Sequence, residues 1–106
     1  MRIESVALHN DSLSYRMLHG EKLVCLLECR PYDNKLNIMA LITESAWRRR
    51  GLASVLLQRV LDEHKAQVWL WCHEQNQKAQ DLYKKFNFTP TDEIDEDNCR
   101  IWVREQ

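Results

Sequence analysis

Glycine and proline are scarce. Each occurs twice in 106 residues, so no flexible linker or low-complexity block divides the chain, and Gly20, Gly51, Pro31 and Pro90 carry weight where they stand. No apolar run approaches the ~20 residues that a bilayer requires. The start, Met1-Arg2-Ile3-Glu4-Ser5, alternates and holds no signal-peptide core. An excess of one charge is missing too, since 15 Lys+Arg against 16 Asp+Glu leave a net charge of −1. That balance makes no electrostatic case for nucleic acid or an anionic membrane as partner. The expectation is a soluble, cytoplasmic protein. The four cysteines form no C-x-x-C pair. Cys25 and Cys29, four apart in one strand, share a face but lie too far apart to bridge. Adjacent Cys72 and His73 point to opposite faces of a strand, which argues against a zinc site completed by His64 and Cys99. Reduced, buried thiols and no metal are expected.

What is present is ordinary globular composition, with 44% hydrophobic and 29% charged residues. At this length the chain reads as a single domain over 1–106. Residues 2–8 and 13–19 alternate loosely and read as strands. His19-Gly20-Glu21-Lys22 reads as a hairpin turn in which Gly20 takes a positive φ. Residues 23–29 (LVCLLEC) form a nearly continuous apolar run, the pattern of a buried central strand. Pro31-Tyr32-Asp33-Asn34-Lys35 is a second turn signal, and 36–43 (LNIMALIT) a further strand.

The period then changes. Leu52, Ala53, Leu56, Leu57, Val60 and Leu61 predict an amphipathic helix within 50–65. Residues 67–72 (QVWLWC) read as a strand, with Trp69 and Trp71 on one face as core beneath a helix. Ala79, Leu82, Tyr83 and Phe86 predict a second helix within 75–86, opened by Asn76 as N-cap and closed by a left-handed Asn87. Residues 99–103 form a last strand, and the acids of 92–97 a solvated loop. His9, His19 and His64 read as surface or strand-end residues. A strand–helix–strand unit over 36–72 requires parallel neighbours, so the class is α+β with a mixed sheet.

Chemistry concentrates in Glu44-Ser45-Ala46-Trp47-Arg48-Arg49-Arg50-Gly51-Leu52-Ala53-Ser54, where a strand hands over to a helix. A helix start presents unpaired N–H groups and the positive end of the macrodipole. Gly51 and Ala53 are small, so a ligand can approach the main chain, and three arginines add charge. The combination suits phosphates, although the Walker A and G-x-G-x-x-G patterns are both absent. A solvated basic helix start is the alternative.

Two motifs together resemble the GNAT N-acetyltransferase superfamily. Arg48-x-x-Gly51-x-Ala53 matches the family's pyrophosphate arm. Asn76-x-x-Ala79-x-x-Leu82-Tyr83-x-x-x-Asn87-Phe88 matches its later helix, a helix and a strand further on. The resemblance is clear over 36–88. It implies a mixed, mostly antiparallel sheet with a V-shaped splay between 36–43 and 67–72, and acetyl-CoA as co-substrate. It places the pyrophosphate on the N–H groups of Arg49, Arg50, Gly51, Leu52, Ala53 and Ser54, with Arg48 beside them. It places the acetyl and pantetheine groups on the backbone of Leu41, Ile42 and Thr43. Asn76 and Ala79 would also bind the cofactor, and Tyr83 would be the general acid for the leaving thiolate. The activity implied is N-acetyl transfer to a primary amine by direct attack in a ternary complex. The amine is a protein lysine or N-terminus, a polyamine or another small amine.

Departures from the pattern are specific. Arg49 stands where many members have glycine, which is tolerable if its φ is ordinary and helical. Asn87 replaces another glycine. Asn37 falls where several lysine acetyltransferases of the family carry a glutamate base, and an amide cannot act as one. Glu44 is the base candidate taken forward, with Glu28, Glu74 and His73 also near strand ends. Only His9-Asn10-Asp11-Ser12 separates the first two strands, where members usually carry two helices. The acceptor groove is therefore open, completed by a second copy or a partner protein, or absent. The acidic stretch 92–97 offers attraction for a cationic acceptor. A non-catalytic acetyl-CoA-binding module that regulates a partner is the competing function.

Overall fold

A computed structural model of the chain describes residues 1–105. The strands are β1 (Arg2–Ala7), β2 (Leu13–His19), β3 (Lys22–Tyr32) and β4 (Lys35–Thr43), then β5 (Gln67–His73), β6 (Thr89–Ile94) and β7 (Cys99–Arg104). A single 3₁₀ turn (Ser45–Trp47) and α1 (Leu52–Glu63) lie between β4 and β5, and α2 (Gln77–Lys85) between β5 and β6. All seven strands form one sheet in the order β1-β2-β3-β4-β5-β7-β6. Only the β4–β5 neighbours within β1–β5 run parallel, because only they are joined through a helix.

The meander follows from its turns. Gly20 sits at φ 62 between His19 and Lys22, and Asp33 and Asn34 take φ 53 and 61 between Tyr32 and Lys35. Two successive positive φ values are what a two-residue hairpin needs, and Asp and Asn tolerate them best after glycine. The acids of 92–97 are not a free loop. β6 runs through Ile94, and Asp95 closes a hairpin by accepting from the Asp97 and Cys99 N–H groups at 2.9 Å each.

Both helices lie on one face of the sheet. Leu52, Leu56, Leu57, Val60 and Leu61 of α1 are buried, at i, i+4, i+5, i+8 and i+9. They pack with Tyr15, Met17, Cys25, Leu27, Cys29, Leu36, Ile38, Val68, Leu70, Cys72 and Trp102 from the sheet, and with Tyr83 and Phe88 from α2 and the residues after it. Burial of each leucine is worth roughly 2 kcal/mol, so the α1 stripe is the main fastening of that helix.

The opposite face is bare, which corrects the placement of the tryptophans. In β5 the core side is Val68, Leu70 and Cys72, while Trp69 is half-buried and Trp71 is 41% exposed, their rings edge to face at 6.4 Å. Two of the histidines also have partners. His64 Nε2 lies 3.0 Å from the Tyr15 hydroxyl, which donates to Glu63 at 2.7 Å. The His19 ring packs on Trp47 at 4.8 Å between centroids.

One irregularity positions the site. The register between β3 and β4 slips at Glu28/Cys29: Cys29 faces Ile38 but Glu28 faces Ala40, so Met39 is an extra residue in β4. β4 pairs with β5 only from Lys35 to Ile38, against Gln67 to Leu70. A bulge bends and twists its strand. Here it falls at the step where pairing with β5 ends, and the sheet forks.

Candidate functional site

The fork leaves the β5-side edge of Leu41, Ile42 and Thr43 without a strand partner, while their other edge is held by Leu27, Leu26 and Cys25 of β3. Just below the fork, Asn37 on the bare face ties the strands together, donating from Nδ2 to the Trp69 carbonyl of β5 at 3.2 Å. Asn37, the position that the family resemblance matched to a glutamate base, thus acts as a cross-strand pin.

Beyond Thr43 the chain turns through Ser45–Trp47 into α1. Gly51 is the N-cap at φ 76, with no side-chain cap, and a Cβ built on it meets nothing within 4 Å. The first turn is opened only by the Val55 N–H on the Gly51 carbonyl at 3.2 Å. Among the described residues, the N–H groups of Arg49, Arg50, Gly51, Leu52, Ala53 and Ser54 have no protein acceptor. Consecutive free amides at a helix start favour an anion. Arg49 lies at φ 66, so the condition under which arginine would stand there without strain, an ordinary helical φ, is not met. Arg49 and Gly51, both left-handed, flank Arg50 just ahead of α1.

The three arginines do different things. Arg48 donates from Nε to the Thr43 carbonyl at 3.2 Å, folding the loop back on the end of β4. Arg50 stacks its guanidinium over the Trp47 ring at 4.6 Å, which together with His19 braces the turn. Arg49 is exposed and, with Arg48, Ser45, Lys78 and Leu82, lines a cleft of about 760 Å³ between the start of α1 and α2. Lys78 was not singled out from sequence, because a lysine on an exposed helical turn belongs to no motif.

α2 carries the second half of the site. Asn76 is its N-cap, its Oδ1 accepting from the Ala79 N–H at 3.2 Å. The helix ends in a Schellman motif: Asn87 at φ 67, the Phe88 N–H on the Tyr83 carbonyl and the Asn87 N–H on that of Lys84, both at 3.0 Å. Between these caps Tyr83 is 8% exposed and packs on Phe88. Burial, and secondarily the Cys72 thiol, push its phenol up to about 12. It therefore stays protonated throughout the neutral range. Its hydroxyl has no hydrogen-bond partner among the described residues, although a buried tyrosine usually finds one. Cys72 itself is buried, its thiol pushed up chiefly by desolvation, which makes it a poor nucleophile.

The acidic candidates separate. Glu44 pairs with Lys22 at 3.1 Å, and Glu74 pairs with Arg100, which is held in turn by the Thr91 carbonyl. His73 Nδ1 accepts from the Gln75 N–H at 3.1 Å. Glu28, half-buried on the bare face, has neither hydrogen bond nor ion pair among the described residues.

An arm of free amides at a helix start beside a forked parallel pair matches what one family of domains is built around. The family model described as the acetyltransferase (GNAT) family matches residues 2–88, well over half of the chain. This chain belongs to the GNAT family. A probable N-acetyltransferase of Mycobacterium tuberculosis is 36% identical over 58 residues, covering 54% of this chain and 33% of that protein. The crystal structure of the PaiA N-acetyltransferase of Thermoplasma acidophilum in complex with coenzyme A superposes with a TM-score of 0.79 at 19% identity, over 91% of this chain and 62% of that one. Naa50 of Arabidopsis thaliana, in complex with a bisubstrate analogue CoA-Ac-MVNAL, gives a TM-score of 0.76 at 25% identity, over 88% of this chain and 72% of that one. The chain thus spans a third of its curated relative and under two thirds of the Thermoplasma protein. Five residues, 8–12, join β1 to β2, closed by the Leu8 N–H on the Ser12 carbonyl at 2.8 Å. No helix among the described residues is long and apolar enough to cross a membrane, and none of their His, Cys, Asp and Glu side chains cluster as a metal site.

Proposed function

We propose that this GNAT domain binds acetyl-CoA and transfers its acetyl group to a primary amine by direct attack. The observation that carries the reading is the run of six unpaired amides from Arg49 to Ser54 opening beside the unpaired edge of Leu41–Thr43. The residues fit the substrate. The amides and Arg48, Arg49 and Lys78 offer donors and positive charge to a pyrophosphate. The free edge of β4 offers alternating N–H and C=O groups to the amides of pantetheine, as a strand would. Asn76 and Ala79 frame the α2 side. Tyr83 gives its proton to the departing thiolate in this reading, which its burial-held proton and unpartnered hydroxyl support. The acceptor class is a protein lysine or N-terminus, a polyamine or another small amine.

Thermal denaturation with and without acetyl-CoA is the first test. At 100 times its Kd the ligand adds about 2.7 kcal/mol of stability, and an unshifted transition refutes the reading. A second reading, a regulatory acetyl-CoA-binding module without catalysis, is favoured by the bare face and by the ion pairs that occupy Glu44 and Glu74. Tyr83→Phe decides between them. For an enzyme it lowers amine-dependent CoA release by about 10²-fold or more with acetyl-CoA affinity nearly unchanged. For a binding module the wild type releases no CoA with any amine.

A further inference from the structure

The site above leaves one half of the reaction without residues, since nothing in it receives the amine or its proton. The bare face supplies candidates by register. Across that face Ser14 of β2, Glu28 of β3 and Ala40 of β4 lie in one row. One row earlier lie Arg30, Asn37 and Trp69. On β5 the next side chain of the same face after Trp69 is Trp71. Ala40 and Trp71 thus lie just past the last β4–β5 pair, one on each arm of the fork, with Glu28 beside Ala40 on β3.

From these positions we infer that the acceptor amine enters as an ammonium ion on the bare face over Ala40, between Glu28 and Trp71, and that Glu28 takes its proton. The inference rests on the acetyl-transfer reading above. Ala40 is the smallest side chain of β4, so it obstructs the mouth of the fork least. Trp71, 41% exposed, offers an indole face to a cation. Adjacent strands are about 4.8 Å apart, so a glutamate one strand from the fork reaches its edge directly or through one water. The other acids near the site are neutralised by Lys22 and Arg100, whereas Glu28 is unpaired. The charged and titratable groups that share its face include Glu4 of β1 opposite Arg16 of β2, whose Nε donates to the Ser14 hydroxyl at 3.1 Å, Arg30 of β3, Lys35 of β4 and His73 of β5, and Asp33 and Glu93 line one cleft with Arg30 and Lys35.

The step balances. The ammonium gives one proton to the Glu28 carboxylate. The amine's nitrogen then forms a bond to the thioester carbon, and the carbon–sulfur bond breaks. The thiolate takes the Tyr83 proton. The second proton lost by the nitrogen returns to the Tyr83 oxygen through water, and Glu28 releases its proton to solvent, one proton for each amide made.

The test uses acetyl-CoA with two amine probes, spermidine and a lysine-bearing peptide with a free N-terminus. Glu28→Gln is isosteric and breaks no bond. It is expected to lower kcat/KM by about 10²-fold at pH 7, with the loss shrinking as pH nears the amine's own value of about 10.4. Glu28→Asp restores part of the rate. Trp71→Ala is expected to raise the KM for the amine about tenfold, with acetyl-CoA affinity measured by calorimetry unchanged in every variant. Wild-type rates and pH profile in Glu28→Gln overturn the inference, as does a wild type that binds acetyl-CoA yet releases CoA with neither probe. If acetyl-CoA produces no heat at all, it is the acetyl-transfer reading that falls.

Discussion

Arg49→Gly is expected to make the ligand-free chain more stable while weakening its hold on acetyl-CoA. Arg49 sits at φ 66, where a side chain costs about 1–2 kcal/mol. Glycine removes that strain but adds freedom to the unfolded chain, which takes back roughly 0.5–1 kcal/mol. The side chain is exposed and makes no hydrogen bond or ion pair among the described residues, so its loss costs no packing. The net gain is about 0.5–1 kcal/mol, or a Tm higher by roughly 3–6 °C for a domain of this size.

Affinity moves the other way. The amide receptor survives in the variant, and only one exposed cation leaves the cleft. An exposed pair is worth up to about 1 kcal/mol, so Kd rises by no more than about fivefold. Arg49→Ala separates the two effects, because it keeps the strained φ and loses the cation: its Tm stays at the wild-type value while its Kd rises as in the glycine variant. Scanning calorimetry of the ligand-free proteins and isothermal titration with acetyl-CoA read both quantities. An Arg49→Gly transition at or below the wild-type temperature refutes the strain argument.

Two further outcomes follow from the same geometry. Asn76→Ala removes the α2 cap and is expected to cost about 1 kcal/mol by urea unfolding, with Asn76→Asp restoring it; equal midpoints for all three proteins contradict the capping role. Burial raises Cys29 from 9.0 to about 11, and Tyr83 from 10.0 to about 12. The native state thus keeps protons that the unfolded chain gives up, so this stabilisation is whole below pH 9 and is lost as pH climbs toward 12. Each group accounts for roughly 2–3 kcal/mol at the limit. The urea midpoint should hold steady from pH 7 to 9 and fall by pH 11, and a flat midpoint to pH 11 contradicts it.

What the amino-acid order made legible was whatever depends on local chemistry. Gly20, Asn76 and Asn87 announce a turn, a cap and a helix stop, because few residues tolerate those backbones or donate those oxygens. The α1 stripe is equally readable, since only one face of Leu52–Glu63 is apolar. Trp69 and Trp71 were misplaced for the converse reason. QVWLWC is apolar on both faces, and aromatic size alone does not reveal which face meets the helices. Arg49 hid its strain because arginine carries no conformational signature; the left-handed φ comes from the loop's closure between the end of β4 and Gly51.

The bulge at Met39 was the deepest omission, and it bears most on function. LNIMALIT is apolar at nearly every step, so no break in alternation marks the extra residue. Its effect is a one-residue phase shift, which exchanges the faces of everything downstream. Leu36 and Ile38 face the helices; without the bulge Ala40 and Ile42 would follow them inward, and Leu41 and Thr43 would stand on the bare face. With it, Leu41 packs against the core and Thr43 lies 3.3 Å from the Cys25 thiol, while the smallest side chain of the strand, Ala40, comes out beside Glu28. The single inserted residue thus ends the pairing with β5 and also opens a low point on the bare face at that same step. The proposed acetyl transfer needs both conditions at one place, and a bulge in β4 meets them together.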